Sequence, residues 1–188
     1  MKIKISILLL FCNLYLLSQC NVKTIVPMEG FKNHSMSQIL WDSTKSRPHS
    51  EGIDGYSIFV NNLVDGNGNK SLYNSIVISH IMVNYKDNEV PNKLTLILPS
   101  GTIVKKASTV QYDRLNIFSK ASADTKTIEC DFHFSTEEVK QIINEGRLYG
   151  IKIENYKTNK LLLSINESDI YSGQLSEMFK CVNFISLY

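Results

Sequence analysis

The clearest strand pattern in this chain runs through Leu94-Thr95-Leu96-Ile97-Leu98-Pro99-Ser100-Gly101-Thr102-Ile103-Val104. In its first half, leucines alternate with other residues, which is the period-2 pattern of a strand with one buried face. Pro99, Ser100 and Gly101 are turn-forming residues, and the apolar pattern resumes at Ile103. The stretch therefore predicts a β-hairpin.

The same alternation recurs on both sides of this hairpin. Within residues 76–86, the apolar Val77, Ile81 and Val83 share one predicted face, and His80 lies on the opposite face. Further strands are predicted at residues 112–118, 127–134, 149–155 and 161–165. Because short turns join several of these strands, we expect antiparallel pairing.

Two helices are predicted in the last third of the chain. Ser135 and Glu138 have the spacing of a capping box, and Gly146 stands where a left-handed C-terminal cap is expected. A second helix is predicted at residues 168–180. The fold class is therefore α+β and mostly antiparallel β: a hairpin-built sheet or sandwich with two short helices near the C-terminus.

The first nineteen residues have the composition of an export signal. Lys2 and Lys4 precede an apolar run from Ile5 to Leu17. That run is too short to cross a hydrocarbon core of about 30 Å as a permanent helix. Residues 1–19 are therefore predicted to be a signal peptide, which would carry the protein out of the cytoplasm.

The end of this leader, Leu17-Ser18-Gln19-Cys20, resembles the lipobox of bacterial lipoproteins. The resemblance implies that Cys20 becomes the lipidated first residue of the mature chain and that the protein is anchored to a membrane of the cell envelope. Gln19 departs from the family pattern, which has Gly, Ala or Ser before the cysteine. Several acyl chains on one cysteine would give stable anchoring, whereas a single chain binds only marginally.

Two other fates of the leader are open. Ordinary signal peptidase cleavage after Cys20 would release a secreted soluble protein that begins at Asn21. An uncleaved signal anchor is the third alternative, although Cys12 and Asn13 interrupt the apolar run. All three fates place the protein outside the cytoplasm.

The remaining chain divides into two predicted regions. Residues 20–55 are polar and rich in Pro and Gly, which is typical of a tether, with a short helical turn expected from Ser37 to Trp41. Residues 56–188 are predicted to form one β-rich globular domain. Lys2 and Lys4 account for the whole formal charge of +2, so the processed chain is neutral, which argues against nucleic-acid binding.

Two cysteines remain for the body of the protein, Cys130 and Cys181. In an oxidising compartment they would form a disulfide, and the alternative is that both are small buried core residues. Strand alternation places the Cys130 thiol opposite Asp131 and His133, so these three residues do not make a metal or thiol-imidazole site. No cofactor is predicted.

Two other patterns have weaker chemical meaning. The loop Asp65-Gly66-Asn67-Gly68-Asn69 resembles the start of a calcium-binding loop, but Lys70 and Ile76 occupy positions that require Gly and Glu, which favours a plain hairpin loop. Arg147, Lys152 and Glu154 are candidates for an outward-facing recognition surface.

The sequence contains no nucleophile elbow, phosphate loop or zinc motif. The hypothesis is therefore a lipid-anchored envelope protein with a non-catalytic binding or assembly role, whose predicted contact is the membrane, through a lipid on Cys20, and whose protein or envelope partner the sequence does not identify. The alternatives are an exported hydrolase whose active-site residues come from scattered positions, and an immunity or inhibitor protein with an acidic or aromatic face. His80 or His133 beside a carboxylate and a nucleophile would favour the hydrolase.

Overall fold

The computed structural model describes residues 20–40, 56–67, 71–82, 86–114, 126–166 and 171–184. It confirms a mostly antiparallel β fold with two helices. The strands are β1 (Lys23–Ile25), β2 (Phe31–Leu40), β3 (Tyr56–Asp65), β4 (Ser71–Met82), β5 (Lys93–Leu98), β6 (Gly101–Lys106), β7 (Thr109–Arg114), β8 (Lys126–Phe134), β9 (Gly150–Glu154) and β10 (Leu161–Asn166). The helices are α1 (Thr136–Glu145) and α2 (Tyr171–Phe184), and neither could span a membrane.

The strands form two sheets. The larger sheet has the order β1-β2-β3-β4-β8-β7, and the smaller sheet has the order β10-β9-β5-β6. The buried side chains of both sheets belong to one hydrophobic cluster, so we call the face of each sheet that contributes to it the inner face and the opposite face the outer face. The fully buried contributors include Ile58, Val60, Ile76, Ile78, Phe132, Leu94, Leu96, Ile151 and Ile153.

The predicted hairpin and the first helix are confirmed. β5 pairs with β6 around the Pro99-Ser100 turn, and Leu94, Leu96 and Leu98 are all buried. In α1, the Ser135 hydroxyl accepts a hydrogen bond from the Glu138 backbone, and the Glu138 carboxylate accepts one from the Ser135 backbone. Gly146 caps the helix with φ of 73°.

Residues 23–25 and 31–40 are strands of the larger sheet, so the predicted tether is wrong for this part of the segment. β2 pairs with β3 along its whole length, from Phe31 opposite Asp65 to Leu40 opposite Tyr56. The predicted helical turn is strand as far as Leu40, and residues 41–55 lie outside the described part of the chain. The sequence misled because β2 lies near the edge of the sheet and carries Ser and Asn on its outer face, which dilutes the apolar alternation.

The predicted faces of β4 are inverted. Ile76 and Ile78 are buried, whereas Val77 lies on the outer face. His80 shares the inner side and its ring stacks on Tyr56, with ring centroids 4.3 Å apart. Because Ile76, Val77 and Ile78 are all apolar, the sequence of this strand is compatible with burial of either face. The neighbouring strands decide which face is buried, since Ile78 lies opposite buried residues on β3 and β8.

A bulge in β10 changes which leucines are buried. Register shifts between Leu161 and Leu163, so Leu163 and Ile165 are buried while Leu161 is 53% exposed. An extra residue in one strand moves the side chains before it to the other face.

The turn between β9 and β10 is organised by the buried side chain of Asn155. Its Oδ1 accepts hydrogen bonds from the backbone N–H groups of Lys157 and Thr158, each at 3.0 Å. Its Nδ2 donates to the carbonyls of Asp87 and Val90 at 2.9 and 3.2 Å. One amide therefore ties this turn to the segment that leads into β5.

We expect Asn155→Ala to lower the free energy of unfolding by about 2 to 3 kcal/mol, because it removes a buried amide that donates to two carbonyls and accepts from two backbone N–H groups. Urea denaturation would measure the change. The matched control is Lys157→Ala in the same turn, whose exposed side chain makes the expected change less than about 0.5 kcal/mol. Equal effects of the two substitutions would contradict the assigned role.

A disulfide joins Cys20 to Cys181 on α2, across 161 residues of sequence. Cys130 is buried and free. The predicted bridge between Cys130 and Cys181 is therefore wrong. Cys130 lies on the inner face of β8 between Ile78 and Val110, towards the β7 edge of the larger sheet, while Cys181 on α2 meets the segment that precedes β1 at the opposite edge.

Candidate functional site

Polar side chains gather in two places on the larger sheet. The first is a polar row on the inner face, which runs across β1, β2, β3 and β4 and has buried His34, Asn62 and Asn74 at its centre. The exposed Thr24 hydrogen-bonds His34, and the exposed Ser71 hydrogen-bonds Asn62 and Asn74.

This inner row supports helix α2. The Asn62 amide donates to the Val182 carbonyl at 3.3 Å, near the C-terminal end of the helix, and accepts from the Ser71 hydroxyl at 2.7 Å. Carbonyls in the last turn of a helix have no intrahelical donor and need an outside partner. The row therefore has a structural role.

His34 gives this row a pH dependence. Burial first, and then the positive charge of Lys32, lower the pKa of His34 below its ordinary value of 6.5. The unfolded chain therefore takes up a proton before the folded chain as the pH falls below 6.5, and the protein loses stability there. We expect His34→Gln to reduce the loss of stability between pH 7 and pH 5 in denaturation measured at each pH. If the variant loses as much stability between pH 7 and pH 5 as the wild type, His34 is not the cause of this pH dependence.

The second polar region is the outer face of the larger sheet. Both helices approach this sheet from its inner side, where Gln38 hydrogen-bonds Gln174 and Asn62 bonds α2. The outer face carries small polar residues around a few apolar ones. Its central residues are Ser35, Ser37, Ser57, Phe59, Asn61, Val77, Ser79, Glu129 and Asp131.

One corner of this face holds an aromatic ring, a carboxylate and an imidazole close together, which we call the His133 cluster: Tyr73, Asp131 and His133. The His133 Nε2 and the Asp131 Oδ2 are 3.0 Å apart. The rings of Tyr73 and His133 lie 4.9 Å apart with an interplanar angle of 33°. The side chain of His133 is 51% exposed and Tyr73 is 40% exposed, so both are accessible to a partner.

Asp131 is held from two directions. Its backbone carbonyl accepts from the Ser108 backbone N–H at 2.8 Å and from the Ser108 hydroxyl at 2.9 Å. One carboxylate oxygen contacts His133, and the other is buried and has no hydrogen-bond partner among the residues that the structure describes. Burial, followed by the negative charge of Asp131, raises the pKa of Tyr73, so the phenol stays a neutral hydrogen-bond donor.

The His133 cluster contains a histidine and a carboxylate, and catalysis would also need a nucleophile. Ser75 lies directly opposite His133 in the register of β4 and β8, but it is only 2% exposed. Within the described part of the chain, no hydroxyl or thiol is hydrogen-bonded to His133. The arrangement is suited to binding by an aromatic pair with a charge beside it.

The predicted separation of Cys130 from Asp131 and His133 is confirmed. Cys130 is fully buried, and burial raises its pKa to about 12, so its thiol is unreactive. The residues that the structure describes contain no cluster of three His, Cys, Asp or Glu side chains that could hold a metal ion.

The calcium-like loop and the recognition residues have separate positions. The turn after β3 packs against the turn before β2, since a Cβ on Gly66 would lie 3.0 Å from the Gly30 backbone. Residues 68–70 lie outside the described part. Lys152 and Glu154 share the outer face of the smaller sheet, and Arg147 is exposed in the short segment between α1 and β9.

Sequence reasoning missed Tyr73, which lies at the start of β4, before the predicted strand. Its only available signal was that Tyr73 continues the odd-numbered face of that strand, on which Val77 lies. No protein-family model, no curated protein and no solved structure matches this chain.

Proposed function

We propose that this is an exported cell-envelope protein that binds a partner through the outer face of the larger sheet and has no chemistry of its own. The observation that carries the binding role is the His133 cluster. It presents two accessible rings and a carboxylate on a face that neither helix covers.

Two independent observations support export. The leader has the charge and length of a signal peptide. The fold also places Cys20 and Cys181 in a disulfide, and disulfides persist in oxidising compartments outside the cytoplasm.

The attachment of the protein depends on the sulfur of Cys20, which cannot carry both a lipid thioether and a disulfide. In the lipid-anchored form that the lipobox resemblance implies, Cys181 keeps a free thiol. In the disulfide-closed form, Cys20 is retained in the chain and carries no lipid. Cleavage after Cys20 is incompatible with the disulfide, because it removes Cys20 from the mature chain.

Exposed apolar residues close to Cys20 support a position at a membrane surface. Ile25, Val26 and Met28 follow Cys20 within eight residues and are 54%, 65% and 61% exposed. A lipid on Cys20 would hold these side chains near the headgroups, where apolar groups are stabilised by partial burial.

Intact mass of the processed protein tests the attachment, with thiols alkylated before and after reduction. Anchoring predicts an added lipid mass and two thiols that react without reductant under denaturing conditions, Cys130 and Cys181. The disulfide-closed form predicts no lipid and two additional thiols after reduction. An unprocessed chain in the cytosol would contradict export itself.

A photo-crosslinking residue tests the binding face. Tyr73 would be replaced with benzoylphenylalanine, and Tyr149, which is also exposed but lies just before β9, would be the matched control. We expect crosslinked products in intact cells from position 73 and not from position 149. Equal yields at the two positions, or none at position 73, would exclude the His133 cluster as the binding site.

The pairing of His133 with Asp131 favours one second candidate, an exported hydrolase. A histidine base held by a carboxylate is the part of such a site that this structure contains. If the protein hydrolyses an ester or amide probe, His133→Ala should lower the rate by about 100-fold or more. A rate unaffected by that substitution would exclude this cluster as the catalytic centre.

A further inference from the structure

The outer face of the smaller sheet is rich in lysine. Lys93 lies opposite Lys106 across β5 and β6, and Lys152 lies on β9 opposite Thr95. Glu154 is the one carboxylate among the described residues of this face, and it is paired with Lys93 at 3.2 Å. Lys106 extends over the ring of Tyr156 at 4.3 Å, which holds its charge at the surface.

The outer face of the larger sheet has the opposite charge on strand β8. Glu129 and Asp131 lie on neighbouring outward positions of β8, beside Val77 and Ser79 on β4. The only lysine on the described part of this face is Lys23 on the edge strand β1. Because the inner faces of the two sheets share one core, the acidic outer face of the larger sheet and the basic outer face of the smaller sheet lie on opposite sides of the domain.

We propose that the acidic outer face of the larger sheet binds the basic outer face of the smaller sheet of a second copy. This inference rests on the proposed function and names the partner of that face. If the larger sheets of two copies paired, Glu129 and Asp131 of one copy would face the same carboxylates of the other. If the smaller sheets paired, lysines would face lysines, and both arrangements are unfavourable because like charges repel. Only the head-to-tail arrangement joins opposite charges.

In a head-to-tail contact, each copy uses a different face to bind each of its two neighbours. Such contacts generate a closed ring if the rotation between neighbouring copies returns to the first copy, and an open chain if it does not. The smaller sheet limits the contact, because four strands spaced about 4.8 Å apart and about six residues long cover about 400 Å². A standard interface buries about 800 Å² on each partner. Each contact is therefore weak, and it gains strength where copies are concentrated on a membrane surface.

Charge reversal on the two faces tests this assembly by sedimentation equilibrium of the processed protein. The first variant, Lys106→Glu with Lys152→Glu, reverses the basic face. The second, Glu129→Lys with Gln111→Lys, reverses the acidic face at directly opposed positions of β8 and β7. Lys93 and Asp131 stay unchanged, since both are partly buried and paired.

Each variant alone is expected to associate at least about tenfold more weakly than the wild type, and an equimolar mixture of the two should recover association. Wild-type association should also weaken between about 0.05 M and about 0.5 M salt. The control, Lys140→Glu on exposed α1, should leave association unchanged. A wild type that stays monomeric at every concentration, or a mixture no different from its components, overturns the inference.

The two proposals fail in different ways. If crosslinking from position 73 gives only adducts with other molecules, and the wild type is monomeric, the proposed function stands and the self-assembly is overturned. If position 73 gives no adducts but the charge-reversed mixture recovers association, the assembly stands and the His133 cluster is excluded from the contact.

Discussion

Replacing Cys181 with Ser is expected to lower the free energy of unfolding of the disulfide-closed protein by up to about 5 kcal/mol. The bridge joins residues 161 positions apart. A cross-link over so long a loop removes many conformations from the unfolded chain, and the chain-entropy cost rises with loop length. Chemical denaturation with and without reductant measures this contribution.

The internal control for this experiment is the effect of reductant on the variant itself. Cys181→Ser has no bridge to break, so reductant should change wild-type stability and leave the variant unchanged. Cys130→Ala serves as a second control, because the free buried Cys130 does not take part in the bridge. Wild-type unfolding that is insensitive to reductant would show that Cys20 is not bonded to Cys181 in the purified protein.

Phe132→Ala is expected to lower the free energy of unfolding by about 3 to 5 kcal/mol. Phe132 is fully buried on the inner face of β8, directly opposite Ile76 on β4. Truncation to Ala leaves a cavity where the larger sheet meets the rest of the core, and the surrounding strands cannot collapse into it without breaking their register.

Phe59→Ala is the matched control for this substitution, since it removes the same side chain from the outer face of the same sheet. Phe59 lies in the row that contains Val77 and Asp131, on the side away from both helices. Its loss should cost less, about 2 kcal/mol, because Phe59 is only partly buried and part of its ring stays in water in the folded protein. A larger effect at Phe59 than at Phe132 would mean that the inner and outer faces have been assigned the wrong way round.

The parts of the fold that were predictable from sequence are those set by local chemistry. The hairpin from Leu94 and helix α1 each carry a complete signal within about ten residues: alternation with a turn in one case, a capping box with a glycine cap in the other. Such signals do not depend on what packs against them. The structure accordingly has both elements where they were expected.

The features that sequence reasoning missed depend on distant neighbours. The faces of β4 are decided by Ile58 and Cys130 on adjacent strands, and β2 is held in the sheet by β3. The pairing of Cys20 with Cys181 depends on how α2 lies against the edge of the larger sheet. Only part of the His133 cluster was predictable, because strand alternation places Asp131 and His133 on one face but does not indicate that Tyr73 lies beside them.

The span of the bridge also sets an order of events during biogenesis. Cys20 leaves the ribosome early, whereas Cys181 is synthesised 161 residues later, a delay on the order of ten seconds. An enzyme that modifies Cys20 as soon as the leader emerges therefore works without competition from the intramolecular thiol. The timing of translocation, rather than the stability of either product, would then decide whether a given molecule ends with a lipid on Cys20 or with the Cys20–Cys181 disulfide.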